Sequence, residues 1–159
     1  MTDENKKTQV GIILVSHADY GTAMLRTAEF ILGQQSDCSS ISVDVAHEVS
    51  ETVRRLTDAT QRLDKGAGVI ILTDMFGGTP TNLALSLLAT HKVEVVTGVN
   101  LPMLLKVFTS RDKELGELAR IRAGLDDRAA GLVGAGVGVL LVRVSIEDGG
   151  DPRIDDHHF

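Results

Sequence analysis

The chain has 159 residues, 43% of them hydrophobic and 24% charged, with 16 glycines, one cysteine and a formal charge of −6. This supports one folded domain with a full core and excludes a disordered chain. Acidity and a scarcity of aromatic residues argue against nucleic acid or an anionic membrane as the default partner, since both favour a basic face.

Residues 1–9 form a polar lead-in with no apolar segment of the signal-peptide kind. Val10 to Ser16 is a β-branched and aliphatic run of the type buried on both faces of a parallel sheet, and it ends on His17. A helical pattern follows from about Thr22 to Leu32, with Met24, Leu25, Ala28, Ile31 and Leu32 on one face and Gly33 as its stop. Cys38 has no partner for an intrachain disulfide, which fits a cytoplasmic location. Ile41 to Val45 alternates apolar and polar residues and reads as a strand near a sheet edge. Ser50 is the expected N-cap of a helix that buries Val53, Leu56, Ala59 and Leu63 and closes at Lys65-Gly66.

The central stretch is Val69-Ile70-Ile71-Leu72-Thr73-Asp74-Met75-Phe76-Gly77-Gly78-Thr79-Pro80-Thr81-Asn82. It reads as a buried strand ended by an acid, then a glycine turn, then a helix capped by Thr79 with Pro80 in its first turn. That helix is apolar almost all round from Leu83 to Ala89. Val93 to Thr97 is a fourth strand, and Gly98 to Pro102 turns into a helix over Met103 to Phe108. Glu114 to about Leu132 reads as a last helix and Val137 to Ile146 as a final strand. The final strand suits an antiparallel edge position or pairing with another subunit. Gly131 to Val142, the longest apolar stretch, is too short to span a bilayer.

Strand and helix alternate, which indicates an α/β fold with a parallel sheet covered by helices; the expected form is a doubly wound, mainly parallel sheet in the order 2-1-3-4 with helices on both faces. One domain covers 1–146, and 147–159 is a polar acidic tail. His17 and Asp74 both fall at strand C-termini, the ligand edge of such a sheet, and face one another if their strands are neighbours. A carboxylate holding one ring proton would leave the other nitrogen nucleophilic, while glycine-loop amides could hold an oxyanion. His47, His91, His157 and His158 read as surface histidines, and no metal or cofactor is expected. Arg26, Arg54 and Arg55 read as solvated helix residues open to an acidic partner.

Three stretches resemble one family in its own order: Ile13-Leu14-Val15-Ser16-His17, the Thr73 to Asn82 segment, and Thr97-Gly98-Val99-Asn100-Leu101-Pro102-Met103-Leu104. The family is the IIA components of the mannose class of the phosphoenolpyruvate-dependent sugar phosphotransferase system, and the match runs from about Val10 to Phe108. The resemblance implies a phosphocarrier in which His17 takes a phosphoryl group from HPr and gives it to a IIB component. Asp74 would orient the ring, and Phe76, Gly77, Gly78 and Thr79 would face the phosphate. It also implies a homodimer that exchanges a C-terminal strand, an acceptor on a separate chain, and membrane contact only through a transport complex.

The chain has Ala18 where the family usually has glycine, and Thr79 in place of the commoner serine; from Gly124 onward it is only weakly similar. A regulatory phosphohistidine protein without a transport role shares this chemistry. The phosphotransfer subunit of dihydroxyacetone kinase shares the fold and a strand-end histidine, but the Phe76 to Pro80 loop is closer to the mannose class. A nucleotide- or flavin-binding domain is disfavoured by the lack of a Gly-x-Gly-x-x-Gly loop or a Walker lysine.

Overall fold

The computed structural model describes residues 8–44 and 48–120, together with the backbone of 141–146 and 152–157. Four parallel strands form the body of the sheet: β1 (Gly11–His17), β2 (Cys38–Val43), β3 (Val69–Thr73) and β4 (Val93–Thr97). Their order is β2-β1-β3-β4, with β1 registered on β2 and β3, and β3 on β4, all in parallel. The β-branched and aliphatic runs of β1 and β3 take inner positions, where both faces of the sheet are covered.

Alternate side chains divide between two cores. Ile12, Leu14, Ile70, Leu72 and Val96 pack with α1 (Tyr20–Leu32), α4 (Leu101–Phe108) and the short α5 (Leu115–Leu118). Ile13, Val15, Ile41, Ile71, Val93 and Val95 pack under α2 (Val49–Leu63) and α3 (Thr79–Leu85) on the opposite face. The sheet is therefore doubly wound, as the alternation of elements implies.

Several boundaries differ from those read in the sequence, each for a local reason. Strand β2 begins at Cys38, three residues early, because its ladder to Ile12, Ile13 and Leu14 starts at Cys38, Ser39 and Ser40 despite their low hydrophobicity. The N-cap of α2 is Glu48; Ser50 lies inside the helix, and its hydroxyl donates to the Glu48 carboxylate at 3.3 Å. Helix α3 stops at Leu85, where bonds of the i+3 type from Leu87 to Ala84 and from Leu88 to Leu85 tighten the chain into turns.

The last helix is seen as Leu115–Leu118, with Glu114 accepting from the amides of Gly116 and Glu117; residues 121–132 of the expected helix lie outside the described residues. The same holds for residues 137–140 of the expected last strand, whose described part is β5 (Leu141–Ile146), antiparallel to β4. The sheet does not end there. Residues read as an acidic tail form β6 (Pro152–His157), which pairs antiparallel with β5 and takes the edge, so β5 is an inner strand. The register sets Asp155 opposite Arg143 and Ile154 opposite Val144.

Candidate functional site

Strand β1 leads into α1 on one face and β3 leads into α3 on the other, so a crevice opens between their C-terminal ends. His17 is the last residue of β1, and Asp74 follows the last residue of β3. The Asp74 Oδ2 accepts the main-chain N–H of His17 at 2.9 Å and lies 2.8 Å from His17 Nδ1. Its Oδ1 accepts the Met75 amide at 3.0 Å. One carboxylate thus fixes the end of β1, the imidazole and the start of the loop. An ionised carboxylate only accepts, so in the neutral ring Nδ1 carries the proton and Nε2 the lone pair.

The ring's other side meets the loop. A Cβ added at Gly78 would stand 2.9 Å from His17 Cε1 and 3.4 Å from Nε2, so glycine is required there for close approach. Gly77 has φ of 79° with nothing near an added Cβ, so its requirement is conformational instead. Asp74 is 15% exposed at its side chain and His17 48%. The imidazole is therefore half open to solvent while its anchor is sheltered.

Thr79 is the first residue of α3, and Gly78 is its N-cap; no side chain caps the helix, which corrects the expectation that Thr79 does so. Phe76 is exposed beside Met75 and, across the crevice, Tyr20 is exposed too. Every site residue expected from the sequence thus lies along one edge of the sheet, with His17 bonded to Asp74 and its ring occupying the space a side chain at Gly78 would need.

Supporting residues escaped the sequence reading. Thr81, fully buried, donates to the Met75 carbonyl at 2.6 Å and so accepts from Thr73 Oγ1 at 2.8 Å. This hydroxyl pair ties the loop to β3. The Thr73 carbonyl accepts the Val99 amide at 3.0 Å, and the Val99 carbonyl accepts the Tyr20 hydroxyl at 3.1 Å, so the loop after β4 is joined as well. Asn100 caps α4 by accepting the Met103 amide at 3.0 Å, the structural role its turn chemistry suggested. Ser16, buried in β1, accepts the Gly21 amide at 2.7 Å and serves the start of α1, whose N-cap Asp19 makes no side-chain bond. Between them Ala18 sits at φ of 48°, a left-handed conformation that favours glycine. The only sequence signal for these partners was hydroxyl residues interrupting apolar strand ends.

Among the described residues, no group of three or more histidine, cysteine, aspartate or glutamate side chains is placed to hold a metal, and no helix is long and apolar enough to cross a membrane.

Fold and site together define a doubly wound α/β protein with a strand-end histidine–aspartate pair beside a glycine loop. The family model for EIIA-man, described as PTS system fructose IIA component, matches residues 11–120, and the chain belongs to that family. Its members are phosphotransferase-type components of sugar phosphotransferase systems. The chain is 29% identical over 106 residues to the PTS system mannose-specific EIIAB component of Escherichia coli K12, a match spanning 66% of this chain and 33% of that protein. It therefore spans about a third of that relative's length. It is 34% identical over 97 residues to the sorbose-specific EIIA component of Lacticaseibacillus casei, covering 60% of this chain and 70% of that one. A solved PTS IIA protein associated with the fucose utilization operon of Streptococcus pneumoniae superimposes with a TM-score of 0.64 at 30% identity, over 70% of this chain and 87% of that chain.

Proposed function

We propose that this protein is a phosphocarrier of sugar uptake, taking a phosphoryl group from phospho-HPr onto Nε2 of His17 and passing it to a IIB component on a separate chain. The observation that carries this reading is the 2.8 Å contact between Nδ1 and Asp74 Oδ2, which assigns the lone pair to the nitrogen facing the glycine loop. As the donor's bond to phosphorus breaks, the Nε2–P bond forms and the ring gains positive charge. Asp74 offsets that charge without taking the Nδ1 proton, so the ring can release phosphorus by the reverse path. The Gly77, Gly78 and Thr79 amides and the Thr79 hydroxyl bind the phosphoryl oxygens in flight, which is most of what such a transfer requires. Met75, Phe76 and Tyr20 are exposed on the segments that follow β3 and β1, and they offer apolar area to the protein that brings or takes the group.

The IIA domain is assigned to 1–146 with β6 (Pro152–His157) added at the edge of its sheet, and it acts in the cytoplasm as a homodimer. If the C-terminal strand is exchanged between subunits, truncation before Val137 yields monomers or insoluble protein; a well-folded dimer after that deletion counts against exchange. The main test is incubation with phosphoenolpyruvate, enzyme I and HPr, followed by intact mass measurement beside His17→Ala. One acid-labile phosphoryl group on the parent and none on the variant is expected. An unmodified parent, with the relay active on a control protein, would refute the carrier role.

A further inference from the structure

Strand β2 ends the sheet, and among the described residues nothing pairs with its outer side. Its backbone orientation follows from one bond: the Ile12 amide donates to the Asp37 carbonyl at 3.1 Å, while Ile12 is in register with Cys38. In a parallel ladder, successive residues turn both backbone groups toward the neighbour and then both away. Ser39 and Ile41 therefore serve β1, whereas Ser40 and Ser42 direct N–H and C=O outward. The strand carries no proline or lysine, and its register is continuous, so the usual devices that blunt an edge are missing.

Helix α2 supplies charge beside this edge. Arg55, Asp58 and Arg62 line a hollow of about 280 Å³ against Ser39, Ser40 and Ile41. Asp58 is drawn toward Arg54 at 3.5 Å, and Arg54 also holds Glu51 at 2.8 Å. Arg55 and Arg62 have no such carboxylate among the described residues. They lie two turns apart on one side of the helix, about 10 Å along its axis. On a chain of net charge −6 this is a local surface of the opposite sign.

We infer that the outer edge of β2 receives an extended acidic segment of a partner protein as an added strand. Backbone bonds form at Ser40 and Ser42, and the segment's carboxylates face Arg55 and Arg62. Main-chain pairing supplies affinity and the arginines select charge. This surface does not depend on the phosphocarrier reading, because β2 meets His17 only in the backbone register at Val43 and takes no part in the His17–Asp74 bonds.

The test uses a six-residue peptide of alternating glutamate and valine, the same peptide N-methylated at alternate residues, and a version with lysine for glutamate, each titrated at millimolar concentration and followed by NMR. The acidic peptide is expected to slow hydrogen exchange at the Ser40 and Ser42 amides and leave Ser39 and Ile41, already bonded to β1, unchanged. Arg55→Gln and Arg62→Gln should each weaken binding about threefold with an unchanged circular dichroism spectrum, and His17→Ala should bind as the parent does. No binding of the acidic peptide, equal binding of the N-methylated or lysine peptide, or competition by inorganic phosphate for the hollow would each overturn the inference. The last result would make the hollow a small-anion site.

Discussion

At the N-terminal edge of the sheet, Arg111 is 3% exposed and donates to the carbonyls of Val10 at 2.8 Å, Ser36 at 2.8 Å and Asp37 at 3.1 Å. At the C-terminal edge, His17 also joins two segments through a ring nitrogen, yet its side chain is 48% exposed. Both residues tether β1 to chain distant in sequence. Burial lowers the Arg111 pKa, but the guanidinium still offers a fixed fork of donors, and its carbon lies 5.9 Å from the Phe108 ring centre. Each of its three nitrogens donates to the fold. His17 spends only Nδ1 and keeps Nε2 for a visitor. Similar hydrogen-bonding hardware becomes a staple or a reactive group according to what is left unused and whether anything can reach it.

The sharpest way to break that distinction is Asp74→Asn. The amide can present its N–H₂ to Nδ1 and turn the ring to the wrong tautomer, so the initial rate of phosphoryl uptake from phospho-HPr should fall by about two to four orders of magnitude. A rate within threefold of the parent would show that Asp74 only braces the turn. Arg111→Met attacks the other edge. It leaves three carbonyls without a charged donor and should cost about 3 kcal/mol or more in urea unfolding, while phosphoryl uptake by the folded fraction stays near that of the parent.

Paired glycine variants separate contact from conformation at the site. Gly78→Ala pushes on the imidazole and should slow uptake roughly ten- to a hundredfold with little change in stability, since the ring end is free to shift. Gly77→Ala meets no atom but strains the backbone, so it should lower stability by about 1 kcal/mol and slow transfer less than Gly78→Ala. Reversal of that order would mean the ring does not rest on Gly78. The smallest effect is expected for Ala18→Gly, which relieves a left-handed alanine at the cost of greater unfolded-state freedom, for a net gain of up to about 1 kcal/mol in thermal or urea unfolding.

The inner strands were legible because long β-branched runs admit few alternatives, and the acid and histidine that end them stood out against those runs. The parallel, helix-covered sheet followed from alternation, whereas alternation by itself leaves the strand order open. Less was visible wherever tertiary partners override local preference. Cys38-Ser39-Ser40 looks like loop until β1 offers it a ladder, and Ser50 looks like a cap until Glu48 takes that position. Ser86 and Thr90 return hydroxyls to the Leu83 and Leu87 carbonyls just where the Leu83 to Ala89 pattern promised continued helix. Arg111 gave no signal, because its three acceptors lie 74 to 101 residues away in sequence. Strand β6 was hidden by its acidity, and only its backbone pairing with β5 places it in the sheet. At the site, His17, Asp74 and the glycines could be found, but the Thr73–Thr81 pair could not: threonine in a helix start has ordinary uses, and only the fold shows what its hydroxyl holds.

The openness of His17 sets a time limit on anything it carries. If Nε2 takes the phosphoryl group as proposed, a ring 48% exposed would leave that group within reach of bulk water, and hydrolysis would compete with hand-over. The loaded form would then be perishable, with a steady-state fraction that follows current supply and demand. A sealed pocket would have allowed storage; a half-open ring on a sheltered carboxylate permits only passage.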